Sequence, residues 1–237
     1  MDEPSESSHS SEQAALKTPN DRWTAALRGF GPLGTAAILV ILLGNAFFTL
    51  LGLILVLLWA KLSRTPWREL GFVPPRSWVA TIVGGIIFGV TGKFVMKAIV
   101  LPLLGAPPIN QAYHFIAGNS AAIPGMLFVI FVHAGFGEEV FFRGYLFERL
   151  GKLFGRSVGA TVTIVLLSSI LFALAHYPSQ GMPGAEQALV VGLVFASIFA
   201  VTGQIFLLVV THIAFDLTAL AMIYWDIETT VAHLVFK

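Results

Sequence analysis

Between Arg28 and Lys61 the chain runs through residues 29–60 without one charged side chain, and no other feature limits its fold as much. A helix needs roughly 20 apolar residues to cross a hydrocarbon core. This run exceeds that, and further apolar runs at about 79–103, 121–148, 157–176, 186–202 and 204–225 meet or approach it. Inside lipid every backbone polar group must find its partner within the protein, which excludes open strands and makes each run a helix. The expected fold class is all-α, a polytopic transmembrane helical bundle of about six to eight helices. With 56% hydrophobic and only 11% charged residues and a mean hydropathy of +0.82, the chain reads as a multi-pass integral membrane protein, in the plasma (inner) membrane if bacterial. Cysteine is absent, so disulfides, thiolate metal sites and a cysteine nucleophile are excluded. A net charge of +1 offers no electrostatic footprint for a nucleic-acid partner.

Four regions follow: a Ser-rich, acidic N-terminal tail at 1–28, N-terminal helices and loops at 29–120, a transmembrane core at 121–225 and a C-terminal tail at 226–237. The tail is read as mobile, ending in a short interfacial helix, and it lacks the basic lead of a cleaved signal peptide. The first apolar run is longer than one upright span requires. One tilted span is the preferred reading, with Gly44-Asn45 as the point where it would break. Basic residues follow the first run (Lys61, Arg64, Arg68, Arg76) and the third (Arg149, Lys152, Arg156), whereas 104–120 and 177–185 have none. The positive-inside rule makes the loops after the first and third runs cytoplasmic. Six spans would then leave both termini outside, although Lys17, Arg22 and Arg28 favour an inside N-terminus.

Against this background the stretch "GEEVFFRG" at 137–144 is anomalous, because it sets two carboxylates and an arginine at the end of an apolar run. A charge at mid-bilayer costs about 2.5–3.5 kcal/mol on insertion scales, so such a residue is a functional candidate. On a helix Glu139 and Arg143 share a face and can pair. Glu138, rotated by about 100°, lacks that partner and, desolvated beside a like charge, would have the raised pKa of a general base. A solvated amphipathic helix beginning at Gly137 is the plainer alternative. Two further motifs weigh against it: Phe172 and His176 in "LFALAHYP", and His212 and Asp216 in "VVTHIAFDLTAL", each pair four apart on one helical face. An Asp one turn from a His can fix its tautomer or share a ligand site with it. Either histidine taken alone reads as packing.

Lys93 and Lys97, one turn apart, read as side chains that snorkel to an interface or pair with headgroups. His133, on the Glu139-bearing helix, reads as packing or as a side chain that supports the site. Phe141, Phe142, Tyr145 and Phe147 would line a greasy groove or anchor at the interface. The signatures HExxH, GxGD and GxSG, of three known classes of intramembrane protease, are missing.

Taken together, the chain resembles the CPBP family, the CAAX proteases and bacteriocin-processing enzymes also called Abi. The family pattern is EExxxR, then FxxxH, then HxxxN or HxxxD. Here it reads Glu138-Glu139…Arg143, Phe172…His176 and His212…Asp216, in that order on successive apolar helices. "WRELGFVPP" at 67–75 resembles the segment that often precedes the family's core, and the motif region spans about 121–220.

The resemblance implies an intramembrane endopeptidase acting on a membrane-associated or lipidated peptide or protein. Glu138 would be the base assisted by His176. His212 with Asp216 would stabilise the oxyanion or position the scissile carbonyl, and Glu139, Arg143 and Phe172 would support the site or bind substrate. Asp216 stands where the family often has Asn. A carboxylate donates no hydrogen bond unless protonated, which leaves it orienting His212 instead. No cofactor is favoured. Zinc is the alternative, on His176, His212 and either Glu138 or Asp216, a set that would consume the base. Partners are the peptide or lipidated substrate and membrane lipids. Rival readings are a transporter, for which no inverted repeat speaks, and a non-catalytic immunity or scaffold protein. His212 lies only about eight residues into its run, so a tilt or a break near Gly203-Gln204 is needed to bring it level with Glu138.

Overall fold

The computed structural model describes residues 19–236, with side chains from residue 21 onward. Residues 1–18 of the expected tail lie outside the described residues, and its end is a helix, α1 (Pro19–Arg28).

The first apolar run departs from a single tilted span. It forms two helices, α2 (Pro32–Phe47) and α3 (Thr49–Leu62), broken at Phe48, whose backbone is extended (φ −163°, ψ 114°). They fold back on one another so closely that a Cβ on Gly44 would lie 2.4 Å from Leu55 Cδ1. At 16 and 14 residues they are about 24 and 21 Å long, short of the roughly 30 Å of a hydrocarbon core. The pair is therefore a hairpin of two helices each too short to span alone. Its tip brings the Phe48 ring 5.9 Å from that of His133. The absence of charge required apolar surroundings for this run but not one continuous helix.

Four helices are long and apolar enough to span: α4 (Trp78–Leu103), α5 (Ser120–Phe154), α6 (Val158–Thr202) and α7 (Ile205–Tyr224). Ser77 and Ser157 cap α4 and α6 by accepting from the Ala80 and Ala160 N–H groups. Helix α6 is two spans rather than one. Gly181 sits inside it with φ 65° and ψ −163°, a region open essentially to glycine. Positions almost equidistant from it, Gly192 and Ser169, come within 3.2 Å of contact. The arms 158–180 and 182–202 thus form a hairpin, in keeping with the two separate runs expected there. All described secondary structure is helical, as the composition demanded.

One face of the bundle collects the ends of α1, α3, α5 and the second arm of α6. Trp59 donates to Leu27 O at 3.1 Å, Arg149 donates to Arg28 O at 2.9 Å, and Arg28 pairs with Glu69. Arg22, Lys61, Arg64, Arg68, Arg76, Lys152 and Arg156 lie in the same terminal and loop segments, the basic face that the positive-inside rule reads as cytoplasmic. The described chain ends in a short helix, α8 (Glu228–Ala232).

The loop "WRELGFVPP" plugs this face. Leu70 is fully buried, Gly71 adopts φ +83°, and its carbonyl accepts from the N–H of Ile205 at 3.0 Å. On its other side a Cβ at Gly144 would lie 2.9 Å from Leu70 O. Helix α7 therefore begins beneath a layer of protein, with Ile205 and Leu208 wholly buried. This, together with the turn at Gly203 (φ +61°), brings His212 to the depth of Glu138. The run Phe141, Phe142 and Tyr145 is buried core rather than an interfacial anchor, with Phe147 stacked edge-on against Phe199 at 5.0 Å.

Candidate active site

Glu138 and Glu139 lie on α5 where it widens into a π-helix over Val129–Tyr145. Leu146 N–H accordingly reaches Phe141 O, five residues back. Wide turns of this kind are uncommon and cluster at functional sites. Helix α7 lies directly against this segment, since a Cβ on Gly135 would be 2.3 Å from Ile213 Cγ1. The wide turn still permits the pair expected on an α-helix: Arg143 Nη1 donates to Glu139 Oε1 at 2.8 Å.

The two carboxylates have opposite surroundings. Glu139 is completely buried, and its Oε1 bonds both Arg143 and, at 2.7 Å, His212 Nδ1. Arg143 is buried too, its guanidinium over the rings of Phe172 at 4.5 Å and Phe195 at 5.4 Å. Phe172 thus covers the ion pair on one side and meets His176 edge-on, with ring centroids 4.5 Å apart, on the other. Glu138 has no such partner. Its Oε2, like Glu139 Oε2, is buried and makes no hydrogen bond, but His212 Nε2 lies 3.8 Å and His176 Nε2 4.0 Å from it.

The rings are held from behind. His176 Nδ1 faces Phe172 O at 2.8 Å, which requires the proton on Nδ1 and leaves Nε2 with a lone pair toward Glu138. His212, fixed through Nδ1 by Glu139, places Nε2 also 3.6 Å from Asp216 Oδ2. The seven residues singled out in the sequence therefore converge, with Arg143 and Phe172 behind the rest. His133, read from the sequence as packing or a support of the site, approaches Glu138, with Nδ1 4.0 Å from Oε1. At 3.6–4.0 Å these contacts are too long for direct hydrogen bonds and leave room for a water-sized group.

The site opens into a cavity of about 640 Å³ lined by both polar and aromatic groups. Asn45, Phe47, Phe48 and Thr49 from the hairpin tip reach it, as do Tyr113, Lys93 and Gln187. No local pattern marked the hairpin tip, Tyr113 or Gln187, because they arrive from segments distant in sequence. Lys93 and Lys97 do not snorkel: both are buried, Lys93 donating to Gln187 Oε1 at 2.9 Å and Lys97 pairing with Glu228 at 2.6 Å. His176, His212, Glu138 and Asp216 are donor types that suit zinc. No group of three His, Asp or Glu side chains among the described residues has an arrangement that could hold a metal ion.

Residues 120–218 match the model of a protein family described as type II CAAX prenyl endopeptidase Rce1-like. The matched segment runs from the start of α5 through the first turns of α7 past Asp216, and so contains every motif residue of the site. No curated protein and no solved structure matches the chain.

Proposed function

With residues 120–218 belonging to the Rce1-like type II CAAX prenyl endopeptidase family, we propose that this integral membrane protein is an intramembrane endopeptidase in which Glu138 activates the attacking water. The observation that carries the reading is the buried, unbonded Oε2 of Glu138 facing the Nε2 atoms of two histidines inside a cavity. A buried carboxylate oxygen without a partner is costly. A water donating one proton to Glu138 and the other to the lone pair on His176 Nε2 satisfies both acceptors.

Hydrolysis then proceeds by transfer of the water proton to Glu138 as the oxygen attacks the scissile carbonyl carbon. His212, taken as an imidazolium whose Nδ1–H is held by Glu139 and whose Nε2–H lies between Glu138 and Asp216, donates from Nε2 to the carbonyl oxygen as it gains charge. Collapse breaks the C–N bond, and Glu138 returns its proton to the leaving amine. Asp216 holds the His212 proton in place rather than donating one. Glu139 and Arg143 form a fixed, neutral-sum pair that keeps His212 oriented.

This reading uses each motif residue once. A zinc on His176, His212 and Glu138 would occupy the base, and no step is routed through a metal. The substrate is read as a membrane-associated or lipidated peptide. The test is cleavage of a prenylated CaaX peptide, beside an unlipidated leader peptide, by wild type and Glu138→Gln in lipid nanodiscs. Cleavage by wild type and none by the variant is expected. Full activity in Glu138→Gln would defeat the assignment. So would about one zinc per chain, with activity lost on chelation and restored by zinc, defeat the metal-free mechanism.

A further inference from the structure

The α2–α3 hairpin brings to the active-site cavity a set of backbone groups that the protein leaves unpaired. At the break, Phe48 N–H donates to Gly44 O at 3.0 Å and Gly52 N–H donates to Phe48 O at 3.1 Å. No other backbone hydrogen bond crosses the break among the described residues, and neither helix end there has a side-chain cap. The carbonyls of Asn45, Ala46 and Phe47 and the N–H groups of Thr49, Leu50 and Leu51 are therefore left over. The run around them has no charge, and the rings of Phe47 and Phe48 are exposed, as lipid-facing side chains are. In apolar surroundings such groups need partners.

The break also lies beside the reacting carboxylate. Thr49 Cγ2 is 3.6 Å from where a Cβ on Gly137 would stand, immediately before Glu138. The Phe48 ring is 5.9 Å from that of His133, whose Nδ1 is 4.0 Å from Glu138 Oε1. Asn45, Phe48, Thr49 and Glu138 line one cavity. Two side chains in it are short of partners as well. Glu138 is 8% exposed with Oε2 unbonded. Asn45 Oδ1 is also buried and unbonded, and lies where a Cβ on Gly52 would be 2.6 Å from it, so only glycine leaves it room.

Donors and acceptors alternating along one edge match a ligand that carries both, and an extended peptide backbone is such a ligand. Phe48 is itself extended, which spreads the free carbonyls and N–H groups to either side of it. Resting on the peptidase reading, we propose that the break in the α2–α3 hairpin binds the extended backbone of the substrate, with one substrate carbonyl accepting from the Thr49 N–H, and so lays the chain beside Glu138. Recognition at this edge reads backbone and not side chain. It is made by a segment outside residues 120–218.

Proline can remove one of these donors and keep the helix. Thr49 is the first residue of α3, where proline is favoured, and Phe48 before it already has the extended backbone that a following proline requires. Thr49→Val keeps the N–H and serves as the control. One prenylated CaaX peptide is compared, in nanodiscs, with a series in which each amide except the scissile one is replaced in turn by an ester, a weaker acceptor. At one position the ester should lower kcat/KM of wild type and Thr49→Val by about 3- to 10-fold, the worth of one hydrogen bond. Thr49→Pro should cut the all-amide peptide more slowly by a similar factor and lose the discrimination at that position alone. A wild type with no ester-sensitive position overturns the proposal whatever the variant does. So does an ester profile shared by Thr49→Pro and Thr49→Val, which would mean that water alone meets the N–H. The same peptides are titrated onto Glu138→Gln with and without Thr49→Pro. Ester-sensitive, Thr49-dependent binding to a protein that cleaves none of the peptides would defeat the peptidase reading and leave this one standing. Glu138-dependent cleavage with a profile that Thr49→Pro leaves untouched would do the reverse.

Discussion

Adjacent carboxylates on one helix are expected to respond in opposite ways to the same isosteric change. Glu139→Gln removes the charge that faces both Arg143 at 2.8 Å and His212 at 2.7 Å, where all three residues are at most 5% exposed. Breaking a buried pair by neutralising one member leaves the other charge desolvated, at a cost of about 3–5 kcal/mol. On the scale of soluble domains of this length the midpoint of thermal unfolding should fall by roughly 6–20 °C. Glu138→Gln removes no hydrogen bond, because Oε2 has none, and relieves a like-charge contact, so its stability should stay within about 0.5 kcal/mol of wild type, a midpoint shift of about 1–2 °C. Both variants should lose activity, Glu138→Gln by losing the base and Glu139→Gln by releasing His212. The assay is thermal unfolding of the purified proteins in one detergent, followed by tryptophan fluorescence, beside cleavage of the prenylated peptide. Equal midpoints for the two variants would refute the division between a structural and a reactive carboxylate. A larger loss for Glu138→Gln would invert it.

His176→Ala and His212→Ala should each lower kcat by about 10²–10⁴. Only His212→Ala should also lower stability, since His176 bonds no side chain; equal stability losses would count against this reading. Gly144→Val should loosen the 67–75 plug, because even a Cβ meets Leu70 O at 2.9 Å. The readout is faster proteolytic nicking of that loop, and unchanged protection would show that the plug docks otherwise. The Arg28 guanidinium beside Glu69 holds its carboxyl below the ordinary value of 4.5. Its stabilisation is thus present above about pH 4.5 and is lost as the pH falls through the lower folded value. Glu69→Gln should flatten that part of the acid limb, and superimposable wild-type and variant curves would refute it. Cysteine labelling of this cysteine-free chain should find positions 64 and 152 accessible from one side and position 108 from the other. Labelling of all three from one side would break the topology.

Much of the site was legible because its chemistry is local. Glu139 with Arg143, Phe172 with His176 and His212 with Asp216 are each four residues apart, and helical geometry turns such spacing into a shared face whatever the tertiary arrangement. Charge in an apolar run is costly enough to advertise itself, which is why these residues were visible at all. The spacing could not tell that Glu139 bonds His212 from another helix, or that His133 attends Glu138, since neither contact has a sequence period. The snorkelling expected of Lys93 and Lys97 failed for the same reason: their partners Gln187 and Glu228 lie 94 and 131 residues away.

What the sequence determined by itself is the all-helical membrane fold, because lipid satisfies no backbone group and a charge-free run has no other stable conformation there. It also determined which face holds the basic loops and which side chains are chemically equipped to react. The tertiary structure alone decided that residues 29–60 turn back at Phe48 rather than form one long helix, for length and apolarity are compatible with either path and packing against α5 selects one. It decided the depth of His212 as well, through a glycine loop that covers the start of α7. Hydrophobic patterning sets what must leave water, whereas depth and register are set by the close contacts at Gly71, Gly89 and Gly144, which only the assembled helices contain.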